Sequence, residues 1–222
     1  MEFAPKVYFF IPERVPFIGG AGVTETVTTT WAIMALLVIF SMLAARNFKE
    51  VPGPVQNILE ILVEGIESLT STTMGEDKLG FAPYMGTLAL YLLFANLAGL
   101  FAFRPPTADL NTTMALAVIT FISIHYYGIK AKGLGAYLKG FTEPIPLLLP
   151  LNIIGELAIP ISLSFRLFGN ILGGVIIMYL LYNVVPIAVP VVPHIYFDLF
   201  AGILQTFIFV MLSMVFISLA ME

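Results

Sequence analysis

Cysteine is absent from the 222 residues, which excludes disulfides and thiolate metal sites. Histidine is scarce: His125 and His194 alone cannot build a conventional zinc site. Charge is scarce too, at 11% of residues, where a soluble domain carries roughly 25%. No G-x-x-x-x-G-K-[ST] loop occurs, so the chain lacks that cradle for nucleotide phosphates. No Ser/Lys, paired-Asp or His-Glu-x-x-His arrangement marks an intramembrane protease, and no internal repeat supports an inverted-repeat transporter. The N-terminus, MEFAPKVYFFIPERVPF, has no basic region ahead of an apolar core and does not read as a cleaved signal peptide. The formal charge of −4 says little about partners. No cofactor, resident metal or nucleic-acid partner is expected.

What the chain has is apolar length. Hydrophobic residues make up 59% of it and the mean hydropathy is +0.97, the composition of a polytopic membrane protein. The expected fold is all-α, with about five transmembrane helices and one amphipathic surface helix in a single membrane domain. Residues 1–23, punctuated by Pro and Gly, read as an external lead-in. Spans are expected at 24–46, 83–103 and 110–129, each near the 20 residues or so needed to cross the hydrocarbon. Residues 54–73 gather Val55, Ile58, Leu59, Ile61, Leu62, Ile66 and Leu69 on one side, with Glu60, Glu64 and Glu67 toward the other. That pattern predicts a surface helix with a solvated acidic face. Asn96 is the strongly polar residue inside the second span and is expected to hydrogen-bond a neighbouring helix. His125, beside Tyr126 and Tyr127, reads as an interfacial belt residue. Residues 133–150, with three glycines and Pro144, Pro146 and Pro150, predict a turn-rich, partly re-entrant connection.

Two overlong helices follow, 151–183 and 194–220, joined by a proline-rich turn at 184–193. At 33 residues the first would be roughly 50 Å long against a hydrocarbon thickness of about 30 Å, so the pair should form a tilted hairpin. Basic residues after the first and third spans (Arg46, Lys49, Lys78; Lys130, Lys132, Lys139) outnumber the single Arg104 after the second. The positive-inside rule then sets the N-terminus outside and the C-terminus in the cytoplasm of a bacterial plasma membrane.

Arg166 lies about fifteen residues from either end of its apolar run, roughly 22 Å, too far to snorkel easily. An arginine at bilayer depth costs from a few to more than ten kcal/mol and is tolerated where it faces a partner or a wet cavity. Ser162, Arg166 and Asn170, spaced by four, share one helical face, and Gly169, Gly173 and Gly174 would let another helix backbone approach. Glu156, ten residues upstream, is about 15 Å away along the axis and is not an intrahelical ion-pair partner. On the last helix His194, Asp198, Gly202 and Gln205 form a narrow polar stripe, which would pass protons if wetted or else serve as a buried staple. With no carboxylate nearby on its own helix, Arg166 requires a counter-charge from another chain. Arginine suits that task because it does not give up its own proton.

The segment Ser164-Phe165-Arg166-Leu167-Phe168-Gly169-Asn170, preceded by Pro160-Ile161-Ser162-Leu163, resembles the signature helix of subunit a of the F-type ATP synthase. Leu204-Gln205-Thr206-Phe207-Ile208-Phe209 is similar to the last helix of the same family. The resemblance implies a stator subunit whose arginine faces a rotating ring of carboxylate-bearing c subunits, between two offset aqueous half-channels. It implies that Arg166 is the essential ion-translocation residue, with Asn170, Gln205 and Ser162 around it. Asp198 and His194 would line the outer half-channel and Glu156 the cytoplasmic side. Peripheral-stalk b subunits and the larger F1Fo complex are the implied partners, and H⁺ the implied ion, with Na⁺ an alternative. The chain departs from the family pattern at Val175, where a carboxylate or histidine is common, and at Ile159, where a basic residue is common. The first departure leaves Asp198 as the main ionisable group for the outer channel. The competing expectation is a self-contained secondary transporter with Arg166 binding an anionic substrate.

Overall fold

The computed structural model describes residues 6–10, 22–46, 48–49, 52–101, 103–142, 145–184 and 191–222. The helices run in the order α1 (Glu25–Ala45), α2 (Pro54–Met74), α3 (Ala82–Leu97), α4 (Leu110–Lys132), α5 (Leu134–Gly140), α6 (Leu149–Val184), α7 (Val191–His194) and α8 (Ala201–Met221). Helices are what a chain this apolar can form in lipid, because each satisfies its own backbone N–H and C=O groups. Short 3-10 turns extend α3 on both sides, at Glu76–Phe81 and Ala98–Phe101, and another leads into α6 at Pro146–Leu148. A π-helical turn, Ile195–Phe200, joins α7 to α8.

Five stretches are long and apolar enough to cross a membrane: 25–44, 76–101, 110–132, 146–184 and 195–221. The protein is a multi-pass membrane protein, helical among the described residues apart from one short β-ribbon. Where a lead-in was expected, an antiparallel ribbon of β1 (Val7–Phe10) and β2 (Gly22–Thr24) precedes α1. The expected connection at 133–150 holds the seven-residue helix α5, which starts after Gly133 at φ +82. The expected turn at 184–193 falls largely on 185–190, outside the described residues.

The core lies among α3, α4, α6 and α8, where Met85, Leu92, Ile124, Leu167, Phe209 and Met214 are fully buried. Amphipathic α2 packs only its second half, where Thr70 and Met74 are buried. Val55, Ile58, Ile61 and Leu62 in its first half stay exposed, as do Glu64 and Glu67. Small hydroxyl residues stitch the bundle: Thr113 and Ser164 join α4 to α6 at 3.0 Å, and Thr120 and Ser213 join α4 to α8 at 3.4 Å.

Asn96 holds the most connected of these stitches. Its amide donates to the Gly202 carbonyl at 3.2 Å and to Thr206 Oγ1 at 2.9 Å, and its Oδ1 accepts from Thr107 Oγ1 at 2.7 Å. Three segments are thereby tied at a point only 1% exposed. The approach is close because position 202 lacks a side chain: a Cβ there would stand 3.3 Å from Asn96 Cβ. Asn96→Ala strands the Thr107 hydroxyl and should lower stability by about 1–2 kcal/mol. Denaturation in detergent micelles measures this. Thr72→Ala, whose hydroxyl bonds only its own helix on an exposed face, should change little.

Candidate functional site

Helix α6 is 36 residues long and has two unlike sides. Leu163, Ser164, Leu167, Ile171 and Gly174 are buried against the bundle. Ser162, Arg166, Gly169 and Asn170 are exposed along the other side. Among the described residues Arg166 has no hydrogen-bond or ion-pair partner. A guanidinium at mid-helix in an apolar chain needs a counter-charge or water, and this face leaves both to come from outside the fold.

The three glycines divide between two tasks. A Cβ at Gly174 would stand 3.3 Å from Phe197 Cβ, so this glycine lets the end of the hairpin close. A Cβ at Gly169 or Gly173 would meet nothing within 4 Å among the described residues. Those two leave a shallow, small-residue surface around the charge of Arg166.

One turn on, Asn170 Nδ2 donates to Gln205 Oε1 of α8 at 2.7 Å. Gln205 is 2% exposed and its Nε2 is buried without a protein partner among the described residues. A donor stranded this way favours a water or a visiting acceptor. The polar stripe of the last helix does not stay on one face. Gly202 turns to Asn96 of α3, while Gln205 meets α6.

At the far end of α6 a second polar group forms around the π-helical turn. Asp198 is buried and accepts a hydrogen bond from His194 Nδ1. The other ring nitrogen, Nε2, is 2.6 Å from the Tyr182 hydroxyl of α6. Gly99 backs the carboxylate: a Cβ there would lie 3.0 Å from Asp198 Oδ1. Such π turns widen a helix by one residue and recur at functional sites.

A third group lies at the opposite end. Glu156 lines a cavity of about 560 Å³ with Lys132, Tyr137, Asn152 and Gly155, and its Oε2 is buried without a protein partner among the described residues. Pro160 has no N–H to return to the Glu156 carbonyl, which opens a further acceptor there. Tyr137, on α5, meets His125 Nδ1 at 2.6 Å, so His125 is engaged inside the fold, beyond the interfacial role its tyrosine neighbours predict. Burial pushes the Tyr137 phenol up from 10.0, and the Glu156 carboxylate pushes it the same way. This end also gathers Lys78, which donates to Ser218 Oγ at 3.1 Å and stands 3.9 Å from Glu222.

The structure thus joins Asn170 to Gln205 and His194 to Asp198, and leaves Glu156 and Ser162 apart from both pairs. Sequence reasoning missed Tyr182, Tyr137 and Gly99. Each sits near a helix end, where aromatic and small residues are commonplace, and only the tertiary pairing gives them a role.

The family described as ATP synthase A chain matches residues 27–218. The chain belongs to that family. Its relatives include ATP synthase subunit a of Geotalea daltonii, 40% identical over 96% of this chain and 95% of the relative. Another is ATP synthase subunit a 3 of Pelobacter propionicus, 40% identical over 89% of this chain and 88% of the relative. A third is named ATP synthase subunit a, sodium ion specific, from Propionigenium modestum, 36% identical over 96% of this chain and 83% of the relative.

The Tyr137 shift carries a sign. Its pKa is raised on folding, so the stabilisation is present below pH 10 and is lost as pH climbs through the raised value. The ultraviolet difference titration of wild type against Tyr137→Phe should show this phenol ionising above the ordinary tyrosine range. Glu156→Gln should move it only part of the way back, because burial is the larger cause.

Proposed function

We propose that this chain is the ion-translocating stator subunit of the membrane sector of an F-type ATP synthase. The observation that carries the reading is the exposed face of α6. Arg166 stands there unpaired among the described residues, beside open Gly169 and Gly173, between polar clusters at the two ends of the same helix. Glu156 is ten residues before it and Tyr182 sixteen after, roughly 15 Å and 24 Å along the axis. Each cluster gives access from one side of the membrane, and neither reaches through.

The partner facing Arg166 is a ring of c subunits, each carrying one ionisable carboxylate. A fixed guanidinium favours the charged form of a carboxylate that approaches it, so the arriving group gives up its ion there. Arginine holds its charge throughout and cannot carry the ion across itself. Asp198 and His194 serve the outer access, Glu156 the cytoplasmic one, and Asn170, Gln205 and Ser162 supply polar contacts around Arg166. Subunits b of the peripheral stalk and the rest of the F1Fo complex complete the assembly. The chain is not an enzyme by itself, because nucleotide chemistry belongs to other subunits.

The basic end, with Lys78, Lys130, Lys132 and Lys139, faces the cytoplasm of a bacterial plasma membrane, and the N-terminus lies outside. The translocated ion is a proton. The sodium-specific name of the Propionigenium modestum relative keeps Na⁺ as the alternative. Family membership does not favour a self-contained transporter in which Arg166 holds an anionic substrate.

Arg166→Ala should abolish ion-driven ATP synthesis in membranes where the complex still assembles, and Arg166→Lys should not restore it. Gly173→Leu is the sharper test. A Cβ there meets nothing within 4 Å among the described residues, so subunit stability should hold while a leucine on the ring-facing surface lowers synthesis about tenfold or more. Wild-type synthesis rates in Arg166→Ala would overturn the reading.

A further inference from the structure

We propose that Tyr182 is the outermost member of a proton-conducting chain, Tyr182–His194–Asp198, that serves the outer access. The inference rests on the reading of His194 and Asp198 given above and adds a residue and a direction to it.

The geometry supplies an unbroken set of hydrogen bonds. Tyr182 Oη is 2.6 Å from His194 Nε2, and His194 Nδ1 is bonded to Asp198 Oδ2. Both ring nitrogens are therefore committed, one to a phenol and one to a carboxylate. Exposure falls along the same path, from 45% at Tyr182 to 9% at Asp198. No other titratable side chain is hydrogen-bonded to these three among the described residues. The path begins on α6, crosses the hairpin and ends at a carboxylate backed by the bare backbone of Gly99.

With a neutral imidazole, Nδ1–H donates to the carboxylate and Nε2 accepts the phenol O–H. One proton then moves by a concerted shift. The phenol oxygen takes a proton from a hydronium ion of the outer water, leaving H2O, as its own passes to Nε2. The imidazole releases its Nδ1 proton to Asp198 Oδ2. The products are a neutral Asp198 carboxylic acid, an intact phenol and an imidazole now protonated at Nε2. Nothing is oxidised or reduced, and one proton has moved from outer hydronium to the carboxylate. Once Asp198 passes that proton inward, the partly exposed imidazole returns to its first tautomer by exchange with water. A chain of this kind carries H⁺ by rearranging bonds, and it offers no oxygen cage in which a Na⁺ ion could travel.

The test uses the intact complex in proteoliposomes, with ATP synthesis driven by an imposed proton gradient. Tyr182→Phe keeps the ring and removes the hydroxyl, and should lower the rate about tenfold. Tyr182→His, which can accept and release a proton, should recover most of the loss. Tyr182→Gln can still donate to Nε2 but cannot relay a proton, and should remain at the level of Tyr182→Phe. Recovery by Tyr182→Gln would overturn the proposal in favour of a positioning role, as would an unchanged rate in Tyr182→Phe. Synthesis by the wild type on a sodium gradient alone, with protonophore present, would overturn it as well. Asp198→Asn separates the two levels: loss of synthesis there with no loss in Tyr182→Phe sinks only the Tyr182 proposal. Full synthesis in Asp198→Asn sinks the outer-access reading itself.

Discussion

A permanent positive charge on an apolar helix is the constraint around which this fold is arranged. Arg166 cannot lose its proton, and hydrocarbon cannot solvate it. The bundle offers no carboxylate to neutralise it among the described residues, although Glu156 and Asp198 lie on the same hairpin. Those acids are held at the two ends of the structure, one in a cavity beside α5 and one under the π-helical turn. Had either paired with Arg166, the charge would be satisfied within the chain and unavailable to anything passing its exposed face. Keeping the acids apart is thus a structural condition of the proposed function.

Polar groups inside such a bundle need partners at close range, and this chain provides them through small residues. Gly202 lets Asn96 reach a helix carbonyl, and Gly99 lets the Asp198 carboxylate lie against backbone. Thr107, Thr113, Thr120, Ser164 and Ser213 supply hydroxyls that bond across helices without adding volume. Each bond is weak, on the order of 0.6 kcal/mol on average in such settings, but together they fix which helix faces which. Fixing α4 and α8 against α6 fixes, in turn, which side of α6 is left exposed, and therefore where Arg166 points.

Much of this was legible in the sequence because it depends on short-range facts. Apolar length marks the five spans, and the spacing of Ser162, Arg166 and Asn170 marks their shared face. The resemblance set Asn170 and Gln205 around Arg166, but that the two bond each other came only from the tertiary fold. Other features depend on where chain segments meet in space. The stripe His194, Asp198, Gly202, Gln205 is regular on paper, but the π-helical turn at Ile195–Phe200 lies within it and its members serve different neighbours. Tyr182 and Tyr137 read as aromatic residues near helix ends until the tertiary fold sets each against a histidine. Gly99 carries no signal at all, since its role is the absence of a side chain beside a group about a hundred residues away.

The two ends of α6 also differ in kind, which follows from how each is built. At the Tyr182 end Gly174 lets Phe197 pack directly on α6, so the hairpin is tight and polar groups there touch one another. At the other end α5 packs against α4, with Tyr137 over Gly128 and beside His125, and an open cavity of about 560 Å³ remains between it and Glu156 of α6. A tight end suits transfer along fixed hydrogen bonds, whereas a roomy polar end suits water. In the proposed reading ions therefore travel by different means on the two sides of Arg166. That difference is set by a glycine at one end of a single helix and a seven-residue helix packed against the other.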